Sequence, residues 1–215
     1  MKLVAISVGR PREVQWSGRS VQTSIFKTPV SGRVHVTRGN IEGDQQSDLS
    51  VHGGREKAVY AYPAEHYDFW RRELPIAELP WGAFGENFTT EGLLEDEVWI
   101  GDRYRVGTAE LVVTQPRMPC YKLGIRFGQP DMVKRFHQSR RSGFYLAVER
   151  EGEVGAGDAI ERFARDERRL TVADVVALYA KDSVNQPLLE RASDHPSLPA
   201  AWRKYFRKRL WAPDE

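Results

Sequence analysis

The sequence predicts a mainly β protein with some α: a β-rich body, barrel or sandwich, over residues 1–163, and a small three-helix unit over residues 164–215. Three observations carry this. From Lys2 to about Phe163, short β-branched and aromatic runs are broken by glycine, as in closed or stacked all-β folds. Only two stretches within that span have helical spacing. After Phe163 the apolar period changes from strand-like to helix-like.

The predicted strands are Leu3–Val8, Gly32–Thr37, Glu97–Ile100, Arg103–Val106, Glu110–Thr114, Phe144–Val148 and Ala159–Arg162. In the first, Val4, Ile6 and Val8 alternate with Leu3, Ala5 and Ser7. Both faces are therefore apolar, and the strand should be central. The helical inserts are Pro63–Leu74, with His66, Phe69, Trp70 and Glu73 on one face, and Pro130–Ser139, with Met132, Val133 and Phe136; each opens on proline and reads as cover for the body. Pro75, Pro80, Trp81 and Gly82 mark an irregular loop leading into Gly85-Glu86-Asn87. Ala164–Arg169 is a charged linker. Thr171 with Asp174 forms a capping box ahead of Val172, Val175, Val176 and Tyr179. Asn185 and Pro187 open a second helix, and Leu198, Trp202, Tyr205, Phe206 and Leu210 stripe a third.

Composition removes several classes. A hydrophobic content of 40% with 29% charged residues is globular usage, and no run reaches the ~18 apolar residues a membrane helix needs. The opening Met1–Gly9 is followed by Arg10, Pro11 and Arg12 where a cleavage site would have to lie, so it reads as a strand and not a signal peptide. A single cysteine excludes an intrachain disulfide, a zinc site built on paired cysteines and a self-contained iron–sulfur cluster. It fits a reducing compartment, and the cytoplasm is the expected location. A net charge of +2 is too mild to imply nucleic-acid binding. Nicotinamide, nucleotide-triphosphate and zinc-protease fingerprints are missing.

Four segments are able to carry chemistry. In Gln115-Pro116-Arg117-Met118-Pro119-Cys120-Tyr121-Lys122, two prolines enforce an extended, rigid loop. Arg117 and Lys122 flank the sulfur, and positive neighbours favour the thiolate that binds metal or attacks carbon; the plain alternative is a buried small hydrophobe. In His52-Gly53-Gly54-Arg55-Glu56-Lys57, consecutive backbone N–H groups can form an anion nest to which Lys57 adds a charge. Against this stand a tight turn with a surface lysine and a turn-stabilising His52. Glu86 and Asn87 either brace their glycine turn or hydrogen-bond a heterocycle edge. Lys27 with Thr28 can hold a phosphate or form an ordinary turn.

Taken in order, Gly43-Asp44 with Asp48, His52-Gly53-Gly54, Lys57-Ala58-Val59-Tyr60, Gly85-Glu86-Asn87, Gly101-Asp102 and Arg117-Met118-Pro119-Cys120 resemble the MOSC domain. The helical tail from about Thr171 resembles the three-helix domain of the YiiM-like branch. Each motif is weak alone and specific in this order; Phe88 departs mildly from the leucine expected after Glu-Asn. The resemblance implies a MOSC-type β-barrel that binds the molybdenum cofactor (molybdopterin), with Cys120 as the metal's thiolate ligand. Soft thiolate suits a sulfur-ligated metal. Lys27, Thr28, His52, Gly53, Gly54, Lys57, Asn87 and Arg117 are the expected cofactor-binding residues, Arg117, Lys57 and Lys27 facing the phosphate.

The resemblance further implies a reductase of N-hydroxylated compounds such as 6-hydroxylaminopurine. Lacking flavin, nicotinamide and iron–sulfur fingerprints, the chain should take its electrons from a separate reductase protein. The proton donor stays open between His52 and solvent. Two other classes are weighed. One is a sulfur or cofactor carrier holding a persulfide on Cys120. The other is a nucleic-acid-binding module built on Arg203, Lys204, Arg207, Lys208 and Arg209, disfavoured because a basic outer helix face is usually just solvated.

Overall fold

The structure, a computed structural model, describes residues 1–47, 53–76, 78–181 and 185–211. The strands are β1 (Lys2–Val8), β2 (Arg12–Trp16), β3 (Arg19–Thr23), β4 (Thr28–Pro29), β5 (Arg33–Val36), β6 (Val59–Pro63), β7 (Phe88–Glu91), β8 (Arg103–Val106), β9 (Ala109–Pro116), β10 (Phe144–Arg150), β11 (Gly152–Gly155) and β12 (Ile160–Ala164). The helices are α1 (Glu65–Glu73), α2 (Tyr121–Phe127), α3 (Met132–Ser139), α4 (Val172–Ala180), α5 (Gln186–Asp194) and α6 (Ala200–Trp211), with a 3-10 turn at Arg55–Lys57.

Among the described residues the main sheet runs β12-β8-β9-β10-β6-β7-β1-β4. It closes on itself. Lys2 pairs with Glu91 of β7 on one edge and bridges Ala159, just ahead of β12, on the other; Leu3 N–H donates to Asp158 O at 3.0 Å and Ile160 N–H to Met1 O at 3.0 Å. A sheet whose two ends bond to each other is a barrel and leaves no open edge at the seam. Strand β1 therefore has both edges occupied, as its two apolar faces require. The pairs are antiparallel except β6 with β7, whose parallel register is made possible by the crossover through α1.

Inside the barrel Leu3, Ile6, Phe88, Leu111, Val113, Phe144, Leu146 and Val148 form a core continuous with Val172, Val175, Leu178, Leu189 and Phe206 of the three-helix unit. The capping box of α4 is present: Asp174 N–H donates to Thr171 Oγ1 and Thr171 N–H to Asp174 Oδ2, both at 2.9 Å. Asn185 caps α5. Outside the barrel, Tyr62, Tyr67, Trp70, Phe84 and Phe136 form a second, aromatic core under α1 and α3. Each such fully buried side chain contributes roughly 1.5–3 kcal/mol.

The segment Glu97–Ile100 is not a strand. Its backbone folds as turns, with Glu97 and Val98 N–H both donating to Leu94 O, and among the described residues it makes one bridge, Trp99 to Thr171. The apolar alternation there reflects Val98 and Ile100 buried against the entry to α4, not a ladder.

Candidate functional site

Strand β9 ends at Pro116, and residues 117–120 run on as the extended loop the two prolines call for. Its start is pinned by Arg117 N–H donating to Gly143 O at 3.3 Å. Gly143 has φ +60° and comes so close to Ala61 O that a Cβ would sit 2.4 Å from it, so glycine is required there. Cys120 then caps α2, its carbonyl accepting from Leu123 N–H at 2.9 Å.

This loop forms one wall of a pocket with about 600 Å3 of space free of protein atoms, its solvent-open mouth included. The opposite walls come from residues 23–27 after β3, residues 44–47, the 3-10 turn, and Tyr60 and Tyr145 of β6 and β10. Cys120, Arg117, Lys27, Lys57 and Asn87, distant in sequence, meet here, with Lys122 beside them. Thr28 does not line the pocket: it is exposed in β4, paired with Val8. Gly53 and Gly54 are also absent from the lining; Gly54 instead precedes the 3-10 turn, its carbonyl accepting from Lys57 N–H at 3.0 Å. His52 and Asp48 lie outside the described residues.

The cations are held differently. Lys27 is buried and ion-paired with Asp44 at 2.5 Å, and burial lowers its pKa against the pull of Asp44. Asp44 also accepts from Gly9 N–H at 2.7 Å and Asn87 Nδ2 at 3.0 Å. Lys27 is thus neutralised within the wall and is not a simple phosphate grip. Asn87 braces: its Oδ1 accepts from Tyr60 N–H at 3.2 Å while Nδ2 donates to Ser7 O and Asp44. Glu86 likewise accepts from Gly82 N–H, Phe84 N–H, Thr89 Oγ1 and the Tyr67 hydroxyl. Lys57 has its pKa lowered by burial, and its turn is fixed by Thr114 Oγ1 donating to Glu56 O at 2.6 Å. Lys122 is buried and donates to Ser47 Oγ at 3.1 Å.

Arg117 differs from the rest. Its guanidinium lies over the Tyr60 ring at 4.9 Å and the Phe136 ring at 5.3 Å, and its Nη1 is buried with no hydrogen-bond partner among the described residues. Burial works against its charge, but the Tyr60 and Tyr145 hydroxyls and the Cys120 thiol outweigh it and raise its pKa. A buried, permanently charged group with an open donor is a strong anion anchor. Among the described residues the lining holds one carboxylate, Asp44, which is matched by Lys27, and three further cations, Lys57, Arg117 and Lys122. A part-exposed thiol beside such donors fits a metal-bearing, anionic group.

Tyr145 was not singled out by sequence reasoning, although its position in β10, between the barrel-core residues Phe144 and Leu146, places it on the opposite face. That alternation was the available signal.

A barrel carrying a cationic pocket with a thiol in its wall, followed by a helical appendage, is the class of protein defined here. The MOSC domain model matches residues 48–161, and the YiiM-like 3-alpha helix domain model matches residues 170–211. The chain belongs to the MOSC domain family. It is 39% identical to the Bacillus subtilis protein YflK over 207 residues, 96% of this chain and 93% of that one. The crystal structure of YiiM from Geobacillus stearothermophilus superposes with a TM-score of 0.81 at 37% identity, covering 97% of this chain and 98% of that one. A Gibberella moniliformis protein named "Reductase" is 32% identical over 197 residues, covering 90% of this chain but 35% of its own length.

Proposed function

We propose that this chain is a molybdenum-cofactor-dependent reductase of N-hydroxylated compounds, with 6-hydroxylaminopurine as a representative substrate. The observation that carries the reading is the juxtaposition, in one pocket, of Cys120 with the Arg117 Nη1 that has no hydrogen-bond partner among the described residues. In this reading Cys120 supplies the protein's thiolate ligand, and Arg117, Lys57 and Lys122 hold the phosphate. Lys27, Asp44 and Asn87 fix the wall. When bound, the cofactor supplies the two-electron chemistry that removes oxygen from the N–OH group. The balance is hydroxylamine plus two electrons and two protons giving amine plus water.

Those electrons come from a separate reductase protein. The relative of which this chain spans only 35% supports that division, since its remaining length has room for an electron-supplying module. A lone thiol in such a role suits the cytoplasm. Among the described residues no helix is long and apolar enough to cross a membrane.

The test is anaerobic reduction of 6-hydroxylaminopurine by cofactor-loaded protein, with molybdenum content measured alongside. Near-stoichiometric molybdenum and turnover are expected, with both lost in Cys120→Ala. Turnover that survives in the variant removes Cys120 from the mechanism, and a wild-type protein that carries persulfide but no molybdenum replaces the reading with a sulfur carrier.

A further inference from the structure

Two phenols share the pocket with Arg117, and the structure separates their roles. A guanidinium has only donors, so neither phenol can give its O–H to Arg117. Each phenol therefore keeps its own O–H to place elsewhere. Tyr60 places it on Ser142 O at 2.9 Å. Tyr145 gives its O–H to no acceptor among the described residues, although its backbone is fixed by pairing with Tyr60 of β6 and Gln115 of β9 and its ring packs 5.3 Å from that of Tyr60. It lines the pocket together with Cys120.

The geometry points to Tyr145 as the residue that reads the oxygen of an N–OH substrate, its O–H donating to that oxygen. An amine offers no oxygen there, so this one contact separates substrate from product. The assignment rests on the reductase reading above and deepens it. A phenol ionises at about pH 10, so the oxygen keeps its proton at neutral pH. The ring's rigid placement means that little freedom is lost when the bond forms.

Binding to the oxidised holoprotein without reductant tests this, because no turnover intervenes. Titration calorimetry with 6-hydroxylaminopurine and with adenine should show wild type preferring the hydroxylamine by roughly three- to tenfold, the size of one neutral hydrogen bond. In Tyr145→Phe the preference should vanish, with molybdenum content and melting temperature held. A variant that keeps the preference overturns the assignment, as does a wild type that binds both purines equally. A wild type that binds neither sinks the reductase reading itself and the Tyr145 role with it.

Discussion

The Lys27–Asp44 pair is the sharpest place to test whether the pocket wall is built as described. The side chains are 9% and 2% exposed, with Nζ and carboxylate oxygens 2.5 Å and 2.6 Å apart. At an effective dielectric of about 20, two charges at that distance attract by about 6 kcal/mol. Much of this is offset by the cost of drying both ions, so the pair adds little over a well-packed apolar substitute. Removing one partner is different, because it strands the other charge, and costs about 3–5 kcal/mol. In Lys27→Met the stranded group is Asp44, left with the Gly9 and Asn87 donors but no cation. At about 2–4 °C per kcal/mol for a chain of this size, the melting temperature should fall by about 6–20 °C. Urea unfolding of the single variants and of Lys27→Met with Asp44→Asn forms the assay. The double variant should recover at least half of the loss, since a neutral amide no longer needs a counter-ion. A single variant that loses less than about 1 kcal/mol, well short of the lower limit of that range, would refute the buried-charge argument.

Two further outcomes follow from the same physics. Trp202 Nε1 donates to Gln115 Oε1 at 2.6 Å, and Gln115 Nε2 is already buried with no partner among the described residues, so Trp202→Phe leaves the whole amide unmet. It should cost about 1–3 kcal/mol and raise hydrogen exchange in α4–α6 first; unchanged exchange there would show that this bond does not dock the three-helix unit. Tyr60, Tyr62, Tyr67, Tyr104 and Tyr145 all have pKa values raised by burial. Unfolded tyrosines ionise near pH 10, so above that the unfolded chain loses protons the native state keeps. Stability is then full below about pH 10 and falls at higher pH, by up to about 1.4 kcal/mol per pH unit for each residue. Lys27 and Lys57, lowered by burial, act in the opposite sense below about pH 10.5. The phenolate absorbance of these five should rise in one cooperative step with unfolding, over and above that of exposed tyrosines such as Tyr121; a gradual rise of the whole absorbance with no such step would contradict the burial.

What the sequence made legible was local. The alternation in β1 announces two buried faces, the Thr171–Asp174 box announces α4, and Pro116 with Pro119 announces the extended loop, because in each case the cause lies within a few residues of the effect. The β2–β3 hairpin was missed. Its residues from Arg12 to Thr23 are mostly exposed, so no apolar period marks them. Helix α2 was missed as well: it is only seven residues long, too short to establish a period, and it ends at Gly128. The closing of the barrel was invisible for a different reason. Lys2 with Ala159 is a pairing between opposite ends of the body, and nothing in either segment encodes the other.

The same distinction governs the site. Cys120 and Arg117 could be named because they share a short proline-fixed loop with its own signature. Whether Lys27 faces a ligand or a carboxylate is decided by Asp44, which approaches it across the fold. Residue type gave the charge of each cation but not its availability, and availability is what binding depends on. Of the cations predicted, the structure leaves Arg117 with a buried open donor and matches Lys27 internally. Which of these charges remains open to a ligand is set by what the fold has already satisfied, and among the described residues Arg117 and Tyr145 hold donors in this pocket that it has not.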